Sequence, residues 1–156
     1  MAAKRNSQPS LTDLLVAAYN AEIETVMNYL ANSVHLDGVR ADVVKRSLTA
    51  EVTAELGHAT LLANRIKILG GAVPGSQALS WTQASLQPPA DPTDVVAVVR
   101  GVIDAEESAV EMYRNLIKRC EGTDYVTQDL AITILGDEQE HLRLYQGYLA
   151  DLIRPR

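Results

Sequence analysis

The sequence predicts an all-α protein, a bundle of four long helices with one long crossover between the second and third helices and no fifth helix. Apolar residues recur in alternating steps of three and four along four separate stretches, which is the period of a buried helical face. Phenylalanine is absent, and proline and glycine are few. Because only the middle connection is long, the pattern is typical of a bundle with one crossover.

Capping signals delimit the first two helices. The segment Ser10–Asp13 resembles a capping box and begins a helix that reaches about His35. A break at Asp37-Gly38 follows. The second helix is expected from about 41 to 69, and the Gly70-Gly71 pair ends it.

The second half of the chain begins with the crossover, predicted at about 71–91 because that stretch is rich in Pro, Gly, Ser and Gln. The segment Asp91–Asp94 opens the third helix, with proline early and acids near the positive end of the helix dipole. Gly122 closes that helix after about Cys120. Thr123 or Asp124 caps the fourth helix, which continues to about Leu152.

Length, charge and cysteine content indicate how many domains the chain forms and which partners and compartment to expect. A chain of 156 residues suffices for one domain, here predicted as a flexible tail over 1–10 and a bundle over 11–153. The net charge of −6 argues against a basic nucleic-acid binder. One cysteine, Cys120, allows no internal disulfide, and neither a signal peptide nor a membrane span is recognisable. We therefore predict a cytoplasmic protein that binds no membrane.

Two Glu-x-x-His steps carry the functional signal. They are Glu55-Leu-Gly-His58 in the second helix and Glu138-Gln-Glu-His141 in the fourth, and they use two of the three histidines. Residues three apart share a helix face, so each step presents a carboxylate and an imidazole together. The first and third helices each add a glutamate on an apolar stripe, Glu22 and Glu106.

Four buried carboxylates need counter-charge. Burying one ionised carboxylate without a partner costs several kcal/mol, and four that converge also repel one another. Two divalent cations would balance their charge, and carboxylate with imidazole suits iron, manganese or zinc. The six residues therefore predict a site for two metal ions: Glu22, Glu55, His58, Glu106, Glu138 and His141.

Each element of this pattern has an ordinary explanation when it stands alone. A glutamate on an apolar stripe is usually a boundary residue whose carboxylate reaches solvent, and one Glu-x-x-His is usually a surface pair. The combination in the middle of all four helices favours a metal site. A slip of one residue would make Glu107 the ligand, but Glu106 shares its stripe with Val102, Val110 and Tyr113.

These residues make the chain resemble the ferritin-like superfamily, and bacterioferritins and the related mini-ferritins in particular. The similar segments are those around Glu22 to Tyr29, Glu55 to His58, Ala105 to Tyr113, and Asp129 to His141. The resemblance implies that Glu55 and Glu138 bridge two ions, that Glu22 and His58 hold one, and that Glu106 and His141 hold the other. It leaves open whether Glu51 assists iron entry or is a solvated residue, and whether Tyr29 serves the site or only the core.

The chain departs from bacterioferritins in three places. Leu56 stands where they carry a haem-binding methionine, so no haem is expected. The sequence stops at Arg156 without the short fifth helix of bacterioferritins. A 12-subunit shell or a dimer is therefore a plausible alternative to their 24-subunit cage. The crossover at 71–91 is longer than theirs and would reshape a subunit interface.

The resemblance implies a ferroxidase that oxidises Fe(II) with O2 or H2O2 at a two-iron site within one subunit, for iron storage or detoxification. Manganese or zinc are alternative metals, and the protein is expected to be a homo-oligomer. Four other functions stay open: a di-iron or di-manganese oxidase or oxygenase, a catalase-like enzyme that removes peroxide, a DNA-protecting mini-ferritin, and a bundle without turnover. The acidic balance argues against DNA binding, since only Lys4 and Arg5 in the tail could contact phosphate.

Overall fold

The computed structural model describes residues 8–155, which form four long helices and no strand. The predicted all-α class is confirmed, and the helices are α1 (Leu11–His35), α2 (Asp42–Ile68), α3 (Val95–Cys120) and α4 (Tyr125–Leu152). Residues 1–7 of the predicted tail lie outside the described residues. Among 8–155, no helix is long and apolar enough to cross a membrane.

Side-chain caps fix where the helices begin. The Ser10 hydroxyl accepts from the Asp13 backbone N–H at 3.1 Å, and the Asp13 carboxylate accepts from the Ser10 backbone N–H at 2.9 Å. Asp94 caps α3 by accepting from the Ala97 backbone N–H, so this helix begins after the predicted opening segment rather than within it. Asp124 caps α4 in the same way.

The four helices form two hairpins, α1 against α2 and α3 against α4. Apolar side chains fill the interior in two clusters. One contains Tyr29, Leu48, Val99 and Tyr145, and the other contains Leu15, Leu62, Tyr113 and Ile134. Neither cluster contains acids or imidazoles. Four buried glutamates and two histidines of the four helices come together in a separate polar layer inside the bundle: Glu22, Glu55, Glu106, Glu138, His58 and His141.

The segment between α2 and α3 runs along the whole length of α1, as a crossover requires. It starts with Gly71 against Thr12, and it ends where the Asp37 backbone N–H donates to the Pro92 carbonyl at 2.8 Å. Between these points it is tied to polar side chains that recur every four residues on one face of α1: Asn20, Glu24, Asn28 and Asn32.

Gly101 of α3 lets the crossover approach the bundle closely. A Cβ there would overlap the Ser85 carbonyl oxygen and lie 3.0 Å from Leu86 Cα. We expect Gly101→Ala to lower the free energy of unfolding by about 1–3 kcal/mol, as overpacking does. Gly147→Ala in α4 is the control, because nothing lies within 4 Å of its Cβ position. The control should gain about 0.5–1 kcal/mol from helix propensity. Urea unfolding measures both, and a Gly101 variant as stable as the Gly147 variant would contradict this account.

Candidate metal centre

The structure brings the six predicted site residues together in the polar layer. Each of α1 and α3 contributes one glutamate, and each of α2 and α4 contributes a glutamate and a histidine one turn later. They form two groups of four, and the ligand atoms in each group lie within 4.8 Å of one another. The groups are Glu22, Glu55, His58 and Glu138, and Glu55, Glu106, Glu138 and His141.

The two groups share Glu55 and Glu138, whose oxygens point in both directions. Glu55 presents one oxygen 3.2 Å from His58 Nδ1 and the other 3.1 Å from His141 Nδ1. Glu138 does the same, at 3.0 Å from His58 Nδ1 and 3.7 Å from His141 Nδ1. This arrangement suits a carboxylate that bridges two ions.

The glutamates of α1 and α3 each belong to one group only. Glu22 lies 3.9 Å from His58 Nδ1, and Glu106 lies 3.9 Å from His141 Nδ1. Glu106 is 2% exposed and faces the site, whereas its neighbour Glu107 is exposed to solvent. The structure therefore places the third-helix carboxylate at Glu106.

Two buried tyrosines hold these single-group glutamates across the bundle. Tyr29 of α1 donates a hydrogen bond to Glu106 of α3, and Tyr113 of α3 donates one to Glu22 of α1. Burial and the nearby carboxylates raise the pKa of both phenols, so the hydroxyls stay protonated donors. Tyr29 thus contacts the site as well as filling the core. Sequence reasoning assigned no role to Tyr113, although it follows Glu106 by seven residues as Tyr29 follows Glu22.

Asp137 is a further contact that sequence reasoning missed. Its Oδ2 lies 3.2 Å from His58 Nε2, whereas the carboxylates of Glu55 and Glu138 contact the other ring nitrogen, Nδ1. A carboxylate there fixes the imidazole orientation and keeps Nδ1 as the atom that faces the site. Asp137 immediately precedes Glu138, so its position in the sequence was the available signal.

Glu51 is buried one turn before Glu55 but lies outside both groups. The Tyr145 hydroxyl donates to its Oε2 at 2.7 Å. Burial raises the pKa of Glu51 to about 7, and this hydrogen bond partly offsets the effect. The carboxyl is therefore neither the solvated end of a stripe nor a direct member of the site.

The remaining histidine and the cysteine are not members of either group. His35 Nε2 lies 2.7 Å from the Pro89 carbonyl oxygen, so His35 contacts the end of the crossover. Cys120 is buried in the apolar cluster around Leu15 and Ile134. Leu56, at the haem-methionine place, has a side chain that is half exposed.

Burial and mutual contacts shift the pKa values of the acids and imidazoles in the site. Burial, the Glu138 carboxylate and the Glu55 carboxylate raise the pKa of Glu22, and burial with the nearby Glu138 raises that of Glu106. Burial opposes the charge on the imidazoles as well. The adjacent shared carboxylates outweigh it and raise the pKa to about 10 for His58 and about 11 for His141.

The same contacts keep the two shared carboxylates ionised. Burial alone would raise the pKa of Glu55, but the adjacent imidazoles of His141 and His58 outweigh it and lower the pKa to about 2. Against the same effect of burial, these imidazoles also lower the pKa of Glu138. These shifts favour ionised carboxylates at Glu55 and Glu138 beside protonated imidazoles, and they favour the neutral carboxyl form at Glu22 and Glu106.

Several buried oxygen and nitrogen atoms of the site lack hydrogen-bond partners, which suits them to bind metal ions. Among the described residues, buried Glu55 Oε1, Glu106 Oε2, Glu138 Oε1 and His141 Nδ1 have no hydrogen-bond partner of good geometry. Buried polar atoms of this kind are nearly always satisfied in native proteins. Carboxylate oxygen and imidazole nitrogen are the donors that iron, manganese and zinc accept, so the set fits two such ions.

Metal binding would therefore release protons. Ligands bind deprotonated, so the imidazoles of His58 and His141, with pKa values raised to about 10 and about 11, would give up protons when ions bind. The raised pKa values of Glu22 and Glu106 add to this release. We expect affinity to rise with pH across the range 6 to 8, because the raised pKa values keep these groups protonated there. Calorimetric titration with Mn(II) in buffers of different ionisation enthalpy measures the released protons. A heat that is independent of the buffer would contradict this protonation scheme.

A cavity of about 190 Å³ reaches the site between α1 and α3. Its floor carries Glu22, Glu55, Glu106 and Glu138, and exposed Asp104 and Ser108 of α3 line its outer part. The crossover residues Thr82, Gln83 and Ser85 line it as well. A small molecule or ion entering here would meet the shared carboxylates directly.

Fold and site together define a helical bundle with a carboxylate- and imidazole-lined centre suited to two metals. Residues 12–154 match the family described as ferritin-like domain, and the chain belongs to this family.

Relatives within the family carry different names. A DNA protection during starvation protein of Pyrococcus furiosus is 30% identical over 144 residues, covering 89% of this chain and 76% of that protein. A bacterioferritin of Desulfovibrio desulfuricans is 26% identical over 145 residues, covering 92% and 76%. The predicted similarity to bacterioferritins and mini-ferritins is thereby confirmed.

Solved structures show the same architecture. A dodecameric thioferritin of Bacteroides fragilis, described as bacterioferritin-related, superposes with a TM-score of 0.78 and 28% identity, covering 91% of this chain and 85% of that one. A ferritin-like di-iron carboxylate protein of Bacillus anthracis superposes with a TM-score of 0.78 and 21% identity, covering 89% and 94%. The second likeness concerns the fold alone.

Proposed function

We propose that this chain is a ferroxidase that oxidises Fe(II) with dioxygen or hydrogen peroxide at a two-iron site within one subunit, for iron storage or detoxification. The observation that carries the proposal is the pair of four-residue groups sharing Glu55 and Glu138. Both groups are complete within one chain. The name of the bacterioferritin relative agrees with handling of iron.

The residues would act on Fe(II) as a substrate. Glu22 and His58 would hold one ion, Glu106 and His141 the other, and Glu55 and Glu138 would bind both. Each ion gives up one electron, and dioxygen takes two electrons and two protons to leave as hydrogen peroxide. Where hydrogen peroxide is the oxidant, the same two electrons and two protons convert it into two water molecules. Four anionic carboxylates favour the reaction because hard oxygen ligands stabilise Fe(III) more than Fe(II).

The size of the cavity favours a small oxidant over an organic substrate. Sites for drug-sized ligands typically enclose about 300–1,000 Å³. The cavity beside the carboxylates holds about 190 Å³. Dioxygen and peroxide fit this volume, whereas a substrate-oxidising member of the superfamily needs room for its substrate beside the metals.

The proposal includes assembly into a homo-oligomer, because a mineral store needs a shell. The Bacteroides fragilis neighbour is dodecameric by its description, and shells of 12 or 24 subunits or a dimer are the candidate states. DNA binding is not part of the proposal, since the net charge is −6. Sedimentation of the iron-loaded protein distinguishes a shell from a dimer.

Anaerobic titration of the metal-free protein with Fe(II), followed by exposure to oxygen, tests the function. We expect near-ultraviolet absorbance to break at two irons per chain, and further iron to stay soluble with the protein. Two irons oxidised without further uptake would point to an enzyme that activates oxygen or a substrate instead. Absence of Fe(II) binding would end the proposal.

A further inference from the structure

The crossover separates the metal cavity from a second space on the protein surface. This surface groove has a volume of about 360 Å³ and is lined by Glu24, Met27, Asn28, Trp81, Thr82, Gln83, Ala84 and Gln87. Thr82 and Gln83 also line the metal cavity, so these two residues stand between the groove and the site. Thr82 is exposed, whereas Gln83 is partly buried.

Gln83 is fixed in this position from several directions. Its amide nitrogen donates to Thr25 Oγ1 at 2.7 Å, and its amide oxygen accepts from Asn28 Nδ2 at 3.0 Å. The carboxylate of Glu24, which is 3% exposed, accepts the backbone N–H groups of Thr82 at 2.6 Å and Gln83 at 2.7 Å. Both the backbone and the side-chain amide of Gln83 are therefore held against α1.

We infer that Gln83 is a specificity-determining residue that keeps the metal site closed to organic molecules from the surface groove. The cavity behind Gln83 has room only for a small oxidant, but groove and cavity joined would fall in the size range of organic-ligand sites. Ions and small molecules keep a route past Asp104 and Ser108. This inference rests on the proposed metal site and names the excluded substrate class, compounds of aromatic-ring size.

Cobalt-loaded protein tests the inference without iron oxidation. Co(II) at the site gives visible absorption that shifts when an added anion binds it. In this titration, azide is the small anionic probe and benzoate is the large one. The parent should respond to azide alone, and Gln83→Ala should respond to benzoate at a concentration at least tenfold lower than any parent response.

Gln87→Ala is the matched control. Gln87 lines the groove but not the cavity, and its amide donates to Asn28 Oδ1 at 3.2 Å. This variant should exclude benzoate as the parent does. Thr25→Val is a second opening variant, because it removes the hydroxyl that accepts from the Gln83 amide while preserving the shape of the helical side chain. It should admit benzoate to a lesser degree, and it keeps the test decisive if Gln83→Ala does not fold.

The outcomes separate the inference from the proposed function. Benzoate binding to the parent as readily as to the opened variants would overturn the role of Gln83. An opened variant that responds to azide but still excludes benzoate would overturn it as well. Both results would leave the metal site intact. Absence of Co(II) binding by the folded parent would overturn the metal site and, with it, the inference.

Discussion

Glu138→Ala is expected to abolish the binding of two metal ions by one chain and, with it, rapid Fe(II) oxidation. Glu138 belongs to both four-residue groups, so its removal takes one donor from each ion at once. Loss of residues that only orient metal ligands typically costs 10–100-fold in affinity. Loss of a shared ligand should therefore weaken binding by more than about 100-fold. Equilibrium titration with Co(II) and stopped-flow oxidation of Fe(II) measure the two effects.

Glu140→Ala is the control for this variant. Glu140 lies two residues further along α4, and its exposed carboxylate pairs only with Arg143 at 2.5 Å among the described residues. An exposed pair of this kind contributes little to stability, so metal binding and the free energy of unfolding should stay close to the parent.

The helices should survive the loss of Glu138, and circular dichroism checks this. Removing one partner of a buried ion pair costs about 3–5 kcal/mol. That is no more than the free energy of unfolding of a typical folded domain, about 5–15 kcal/mol. Glu138→Gln keeps the side-chain volume and serves if the alanine variant unfolds. Retention of two-ion binding and parental oxidation by a folded Glu138 variant would refute the site assignment.

Tyr29→Phe and Tyr113→Phe should each weaken one of the two binding steps and leave the other unchanged. Tyr29 donates to Glu106, and Tyr113 donates to Glu22, so each hydroxyl orients the carboxylate of one group only. We expect a loss of about 10–100-fold in that step, the usual effect of removing a partner that orients a ligand. Stepwise Co(II) titration resolves the two steps.

Tyr145→Phe controls for the removal of a buried hydroxyl. Its hydroxyl donates to Glu51, which belongs to neither group, so stability should fall without a change in either binding step. Loss of one buried hydrogen bond should cost about 1–3 kcal/mol in all three variants. If all three bind Co(II) alike, the two inner hydroxyls serve the core alone.

The four helices, and the helix faces that carry the glutamates and histidines of the two groups, could be predicted from the sequence because both depend on local geometry. Caps at Ser10, Asp94 and Asp124 and glycines with positive φ at 70 and 122 mark helix ends through contacts within a few residues. The three-residue step from glutamate to histidine places both side chains on one face of any α-helix. A buried acid on each stripe then indicated that the four faces meet.

Other contacts were visible only in the folded chain. Tyr113 reaches Glu22 across 91 positions, and Asp137 reaches His58 across 79. Gln83, between the groove and the metal cavity, is held by hydrogen bonds with α1 side chains more than 50 residues away. Periodicity shows which face of a helix is buried, but it does not show which helix covers that face or at what height. Only packing of the four helices and the crossover decides that, because it sets the relative height and rotation of elements that no local rule connects.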